Sequence, residues 1–393
     1  MSEQLRPWLE ERADRIERLC AERRLFVRVQ GGVVTPRLVR FHLLLDPAVP
    51  LKRLERLSED LALALGVASC RLSRRDGILS LEVPRPRPAV LSLVRLQAEL
   101  PPLPPCTALL GRDEEGSPLL LRLSSPEVSH LLIAGTTGSG KTALLRALLS
   151  SLALSNDPLE LRFLLVDPKG RGLGSFQGLP HLAAPVLREG EEAERRLSWL
   201  LEEMLWREEK GVREPRVVVA VDEVADLLLE RPPLQEVLTR LAARGRESGL
   251  HLVLCTQKPT AEALGGLLRA NLPCRVVGRV VNAQEAVVAS GLRGTGAERL
   301  LGRGDFILVA GGEVVRFQAA YISREEVEVM VEMLREEVEE REQGIGIRGQ
   351  GAGGRGQGAG SRDQGTGNRE QGRGKVIPFP GRLVERVVGI LRR

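Results

Sequence analysis

Residues 135 to 142 read Gly-Thr-Thr-Gly-Ser-Gly-Lys-Thr, and no other feature constrains the fold of this chain as tightly. The apolar run His130-Leu131-Leu132-Ile133-Ala134 precedes it and reads as a buried strand. Ala143 to Leu152 follows and reads as a helix, with Leu144, Leu145, Leu148 and Leu149 on one face. Strand, glycine-rich turn and helix form the context in which this pattern binds phosphate. Gly135, Thr136, Thr137, Gly138, Ser139 and Gly140 let backbone N–H groups close around the β- and γ-phosphates, and the helix N-terminus adds partial positive charge. Lys141 is expected to neutralise the transferring phosphate and the Thr142 hydroxyl to ligate Mg²⁺, which implies ATP and Mg²⁺ as cofactors.

A second constellation supports the first. Val217 to Val221 is a β-branched run ending in Asp222-Glu223. It suits a central parallel strand buried on both faces, and it is expected to lie beside the strand that feeds the loop. Asp222 would hold the Mg²⁺ water shell, and Glu223 would orient and polarise the attacking water. A third strand, Leu250 to Cys255, ends in Thr256-Gln257, where the Gln257 amide is placed to sense the γ-phosphate.

At 393 residues the chain is long enough for two domains and appendages, with a hydrophobic fraction of 42%. Aromatics make up only 3%, so the cores are built mainly from Leu, Val and Ala. The net charge of +5 permits nucleic-acid binding without demanding it. No apolar run is long enough for a transmembrane helix, and Met1-Ser2-Glu3-Gln4 does not open a secretory signal. The five cysteines, Cys20, Cys70, Cys106, Cys255 and Cys274, are scattered without CxxC spacing and read as free thiols in a reducing cytoplasm.

Residues 1–25 carry an amphipathic helix, with Leu5, Trp8, Leu9, Ile16, Leu19 and Cys20 forming a stripe. Residues 26–105 read as a small α/β accessory domain. Within it, two strands flank Gly31-Gly32, a helix spans Leu51 to Leu65, and short strands cover Val67 to Cys70 and Ile78 to Val83. The Pro-rich stretch Pro84 to Pro105 reads as a connector without regular structure. Residues 106–342 form the P-loop domain, with strands at 119–123, 130–134, 161–166, 216–221, 250–255, 274–281 and 306–309. Helices between them, such as 190–209 and 234–248, imply a parallel sheet covered on both faces. A charged helix over 323–342 closes the domain. Beyond it, seven-residue units of the form Arg-x-Gln-Gly-x-Gly-x begin at Arg341, Arg348, Arg355, Arg362 and Arg369. They lack an a/d stripe, so 343–375 reads as a disordered linker. The basic amphipathic tail 376–393 offers a docking surface for a partner or a membrane.

Together these residues resemble the FtsK/SpoIIIE-type DNA translocases. The resemblance rests on Ser129 to Ala134 with the loop that follows, Val166-Asp167-Pro168-Lys169, Val221 to Leu227, Gly249 to Pro259, Arg269 to Arg275 and Leu300 to Asp305. It covers about 106–325, and more weakly 30–105. It implies a RecA-like motor in a homo-hexameric ring around double-stranded DNA, with ATP between subunits and an arginine from the neighbour at the transferring phosphate. Arg246 and Arg275 are the candidates for that arginine. Arg293 and Arg303, in glycine-flanked loops, are the candidates for DNA contacts in the pore. The sequence departs from the family in showing no membrane helices, no C-terminal winged-helix domain, and no basic residue in Val281 to Val287, where family members carry lysine and arginine. The expected activity is ATP-driven translocation of double-stranded DNA in segregation or transfer. The alternative is a protein-translocating secretion ATPase of the same superfamily.

Overall fold

The computed structural model describes residues 5–350, apart from 36–37, 47–48, 68, 76 and 87–88. The remaining repeats and the terminal tail, 351–393, lie outside the described residues. The described residues fall into two compact units: 5–91 with 112–118, and 92–111 with 119–350.

The first unit contains α1 (Arg6–Glu22), β1 (Val27–Val34), β2 (Leu38–Leu45), α2 (Leu51–Glu55), α3 (Ser58–Leu65), β3 (Arg71–Arg75) and β4 (Ile78–Pro84). Its antiparallel sheet has the order β1-β2-β4-β3. Ile16 and Cys20 of α1 share a core with Phe41, Leu61, Leu65, Leu81 and Val83, so α1 is part of this unit and not a separate element. Gly31 and Gly32 do not form the turn expected of them. They lie inside β1 at a register shift opposite Phe41 and His42, and the hairpin closes where Thr35 N–H donates to the Leu38 carbonyl at 2.8 Å. β3 falls later than Val67 to Cys70, because Gly66 caps α3 in the left-handed region (φ 64°) and Val67 N–H still bonds back to Ala62. As an edge strand β3 tolerates arginines that hide it from hydrophobic patterning.

The second unit opens with α4 (Leu93–Ala98), inside the stretch read as an unstructured connector. Ser92 caps α4 by accepting from Arg95 N–H, and Leu93, Val94 and Leu96 are buried. The elements that follow are β5 (Thr107–Asp113), β6 (Pro118–Arg122), β7 (Leu131–Ala134), α5 (Lys141–Ser155), β8 (Leu161–Val166), α6 (Gly190–Lys210) and β9 (Arg216–Val221). Next come α7 (Val224–Glu230), α8 (Leu234–Arg244), β10 (Leu250–Thr256), α9 (Ala261–Leu264), α10 (Gly266–Ala270) and β11 (Cys274–Val277). The unit ends with α11 (Ala283–Ser290), β12 (Asp305–Ala310), β13 (Glu313–Ala319) and α12 (Arg324–Gln350). α8 stops before the expected end of that helix, and Gly245–Ser248 continues as a 3₁₀ turn. β11 is shorter than the expected 274–281, because Gly278 N–H turns to the Ala134 carbonyl. α12 runs on to Gln350, so the start of the repeat region read as linker is helical. Arg335–Glu339 and Glu337–Arg341 pairs at i, i+4 support the helix as far as Arg341.

The nine strands are ordered β6-β5-β13-β12-β11-β7-β10-β9-β8. β11, β7, β10, β9 and β8 run parallel, and β12 and β13 are antiparallel additions. The strand ending at Asp222 was expected beside the loop-feeding strand. Instead β10 lies between β7 and β9 and pairs with both. Val217, Val219 and Val221 pack with Leu250, Leu252 and Leu254 against Leu197, Leu227, Leu238 and Leu241. Each fully buried leucine of this kind contributes about 1.5–3 kcal/mol of transfer free energy.

Three buried histidines brace the unit. His251 Nδ1–H donates to the Ser129 carbonyl at 3.0 Å, His130 Nδ1 accepts from Leu252 N–H at 3.0 Å, and His181 Nε2–H donates to the Asn156 carbonyl at 2.8 Å. Burial pushes all three pKa values down, to about 3 for His130 and about 4 for His251 and His181. The unfolded chain takes up these protons near pH 6.5, before the folded chain does. The contribution of neutral histidine is therefore complete above about pH 6.5 and is lost as pH falls toward 4 and below, at up to about 1.4 kcal/mol per pH unit for each residue. Urea midpoints should drop between pH 7.5 and pH 5, and His251→Asn should flatten that dependence. Equal midpoints at the two pH values would contradict it.

Candidate functional site

The parallel strands β7, β9 and β10 deliver their C-terminal ends to one edge of the sheet, where ligands bind in folds of this kind. The phosphate loop leaves β7, Asp222 and Glu223 leave β9, and Gln257 leaves β10. They line a pocket of about 490 Å³ together with Arg146, Lys169, Arg171, Arg303 and Arg324.

Close backbone and side-chain contacts fix the shape of the loop. Gly140 takes φ 105°, and a Cβ there would sit 2.9 Å from the Gly304 nitrogen, so a side chain is excluded twice over. Lys141 is buried and donates from Nζ to the carbonyls of Gly135 at 2.8 Å and Thr136 at 3.1 Å. Burial lowers its pKa, against the opposing influence of Cys255, Glu223 and Asp222. Thr142 Oγ1 donates to the Asp222 carboxylate at 3.0 Å. Burial raises the Asp222 pKa, the Thr142 bond opposes this, and Asp167 and Glu223 add to it. The half-buried Asp222 carboxylate and the Thr142 hydroxyl are a pair of hard oxygen ligands of the kind that suits Mg²⁺.

Glu223 caps α7 in the left-handed region, with φ 61° and ψ 58°. Such backbone costs a non-glycine residue on the order of 1–3 kcal/mol and gathers at functional positions. Three donors hold the carboxylate: Gln257 N–H at 3.0 Å, Gln257 Nε2 at 2.8 Å and Thr256 Oγ1 at 3.4 Å. Gln257 Oε1 in turn accepts from Thr137 Oγ1 at 2.7 Å. Through Gln257 the tip of the phosphate loop is thus joined to Glu223. This contact exists because β10 lies between β7 and β9.

The loop before β12 completes the wall. Arg303 N–H donates to Gly138 O at 3.2 Å and Gly304 N–H to Ser139 O at 2.9 Å. Asp305 anchors this loop, bonded to Arg316 at 2.8 Å and accepting from Leu301 N–H at 2.8 Å. Arg303, anticipated at a DNA-facing loop, is therefore placed against the phosphate loop of its own chain. Arg293 is exposed in the turn between Gly291 and Gly294. Arg246 lies on the 3₁₀ turn before β10, at the opposite end of that strand from Gln257. Arg275 is half-buried on β11, donating to the Leu272 and Arg269 carbonyls at 3.4 and 3.3 Å. Neither Arg246 nor Arg275 lines the pocket of its own chain. Sequence reasoning missed Arg146, Lys169, Arg171 and Arg324. Lys169 lay in the Val166-Asp167-Pro168-Lys169 motif but was given no role, and Arg146 carried a local signal in its place four residues past Thr142 on the same side of α5.

The pattern of the FtsK/SpoIIIE family matches residues 102–213 and 207–261, from before the phosphate loop to just past Gln257, and the FtsK alpha domain matches residues 2–85. The chain belongs to the FtsK/SpoIIIE family. The DNA translocase FtsK of Sporosarcina ureae is 32% identical over 345 residues, 79% of this chain and 44% of that protein. The chain thus spans less than half the length of that relative. Among solved structures, the cytoplasmic domain of the type VII secretion ATPase EccC of Thermomonospora curvata shares 28% identity with a TM-score of 0.54, covering 63% of this chain and 34% of that one. The pCW3 conjugation coupling protein TcpA, solved as a monomer with ATPγS, shares the fold at 19% identity and a TM-score of 0.53, covering 80% of this chain and 96% of that one. The second unit is accordingly a P-loop motor fold of this family. Among the described residues no helix is long and apolar enough to cross a membrane.

Gln257→Leu removes one of the three donors to the buried Glu223 carboxylate. It should destabilise the protein by about 1–3 kcal/mol, and Thr137→Val by about 0.5–1.5 kcal/mol. Urea unfolding checks both, and wild-type stability in both variants would contradict the arrangement.

Proposed function

We propose that this chain is an ATPase that moves double-stranded DNA. The observation that carries the reading is the meeting, in one pocket, of the Lys141 loop, the Thr142–Asp222 pair and a Glu223 held by Gln257. Six cationic side chains face two acids there, an excess that suits a nucleoside triphosphate. Thr142 and Asp222 would hold Mg²⁺, which when bound supplies positive charge to the phosphate oxygens.

Lys141 leaves the carbonyls of its own loop to meet the incoming phosphates, and its buried stem keeps the ammonium aimed at them. The γ-phosphate enters beside Thr137, where it competes for the hydroxyl that Gln257 now accepts from. Glu223 then aligns a water for attack on the γ-phosphorus. The P–O bond to ADP breaks, and the water's proton passes to Glu223 and on to solvent or phosphate. Gln257 is the γ-phosphate sensor in this scheme.

The relatives named DNA translocases support DNA as the substrate. By the same resemblance the chain works as a homo-hexamer in the cytoplasm, with Arg246 or Arg275 completing the neighbour's site and Arg293 facing DNA. Grip on DNA would rest on phosphate contacts, blind to sequence and sensitive to salt. The similarity to a secretion ATPase leaves a protein substrate as the competing reading.

Glu223→Gln should retain ATP binding and lose turnover, and hydrolysis at the wild-type rate would remove Glu223 from its role. ATPase activity should rise strongly with long linear double-stranded DNA and the rise should fade as salt increases. Hydrolysis indifferent to DNA would favour the protein substrate. Deleting 343–393 should leave the stimulation intact, whereas its collapse would assign DNA grip or assembly to the repeats and tail.

A further inference from the structure

Arg146 stands apart from the phosphate machinery described above. It lies one helical turn past Thr142, is only 7% exposed and lines the pocket, and its Nε is buried without a hydrogen-bond partner. A guanidinium stays charged in any protein, and one this deeply buried calls for an anion. The surrounding charges do not meet that need. Burial and then Arg324 push the Arg146 pKa down, and only Tyr321, Asp222 and the exposed Glu325 oppose them.

The wall facing Arg146 is built and fixed. A Cβ on Gly172 would lie 2.5 Å from Asp222 Oδ2 and 2.8 Å from Thr142 Cγ2, so the loop carrying Arg171 presses directly on the Thr142–Asp222 pair. Arg324 Nη2 donates to the Arg171 carbonyl and ties that loop to the first residue of α12. A reciprocal cap orders this helix end, with Ser323 N–H donating to Glu326 Oε2 at 2.7 Å and Glu326 N–H to Ser323 Oγ at 3.1 Å. The first residue of α12 is therefore one of the three arginines that line this pocket.

We propose that Arg146, Arg171 and Arg324 form a second phosphate-binding subsite beside the Lys141 loop, which takes either a phosphate of the bound nucleotide or free orthophosphate. The nucleotide arm rests on the ATPase reading, and the orthophosphate arm does not. Planar guanidinium groups match phosphate oxygens in pairs, which a lysine cannot do.

The test is calorimetric titration of the full chain with ATPγS, ADP and orthophosphate, in wild type, Arg146→Gln, Arg324→Gln, Arg146→Lys and Lys141→Ala. Loss of ATPγS by Lys141→Ala establishes the nucleotide site independently of the subsite. Arg146→Gln and Arg324→Gln should each weaken at least one ligand by about ten- to hundredfold, with Arg146→Lys recovering part of the loss. Weakening of ATPγS and ADP assigns the subsite to the nucleotide, and weakening of orthophosphate alone assigns it to the free ion. Arg324 is exposed, so its substitution removes no core packing, and an unchanged urea midpoint for Arg324→Gln separates lost binding from lost folding. Wild-type affinity for all three ligands in Arg324→Gln would overturn the proposal, even if Arg146→Gln loses binding together with stability. A wild-type protein that binds no nucleotide would instead defeat the ATPase reading, and orthophosphate alone would then decide the subsite.

Discussion

The strand order β7-β10-β9 is the constraint on which the site rests. A strand stands between the one that feeds the phosphate loop and the one that ends in Asp222-Glu223. Gln257, at the end of that middle strand, closes the separation by accepting from Thr137 and donating to Glu223. The pairing Val253–Leu131 on one side and Leu250–Val217 on the other fixes the register, so the amide cannot slip without moving an entire buried strand. The strain at Glu223 is held by the same set of contacts.

A second constraint is electrostatic. Lys141, Arg146 and Asp222 are mostly or fully withdrawn from water at the pocket, and burial is the leading influence on the pKa of each. The site therefore carries charge in a setting where that charge is poorly solvated. This makes it responsive to an incoming anion and its accompanying cation. The loop at Leu301–Asp305 belongs to the same design, since its backbone bonds to Gly138 and Ser139 couple the β12 edge of the sheet to the phosphate loop.

The legible features were those with a local cause. The phosphate loop, the β-branched strand ending in two acids and the Leu250–Cys255 strand each announce themselves within about ten residues. Their positions held, although the order of the strands did not, because adjacency in a sheet is a tertiary property with no short-range signature. Arg171 and Arg324 were not legible, since only folding brings residues so distant in sequence to one pocket wall. α4 was hidden by flanking prolines, and β3 by its arginines. Gly31-Gly32, which looked like a turn, proved to be paired strand residues just past a bulge at Gln30, because strand pairing to Phe41 and His42 outweighed the local turn preference.

Displacement of a triplex-forming strand from linear double-stranded DNA tests the central claim most directly, since it reports movement along the duplex and not only turnover. Displacement should require ATP and disappear in Glu223→Gln while DNA and nucleotide remain bound. Sustained ATP hydrolysis on the same DNA with no displacement would contradict it.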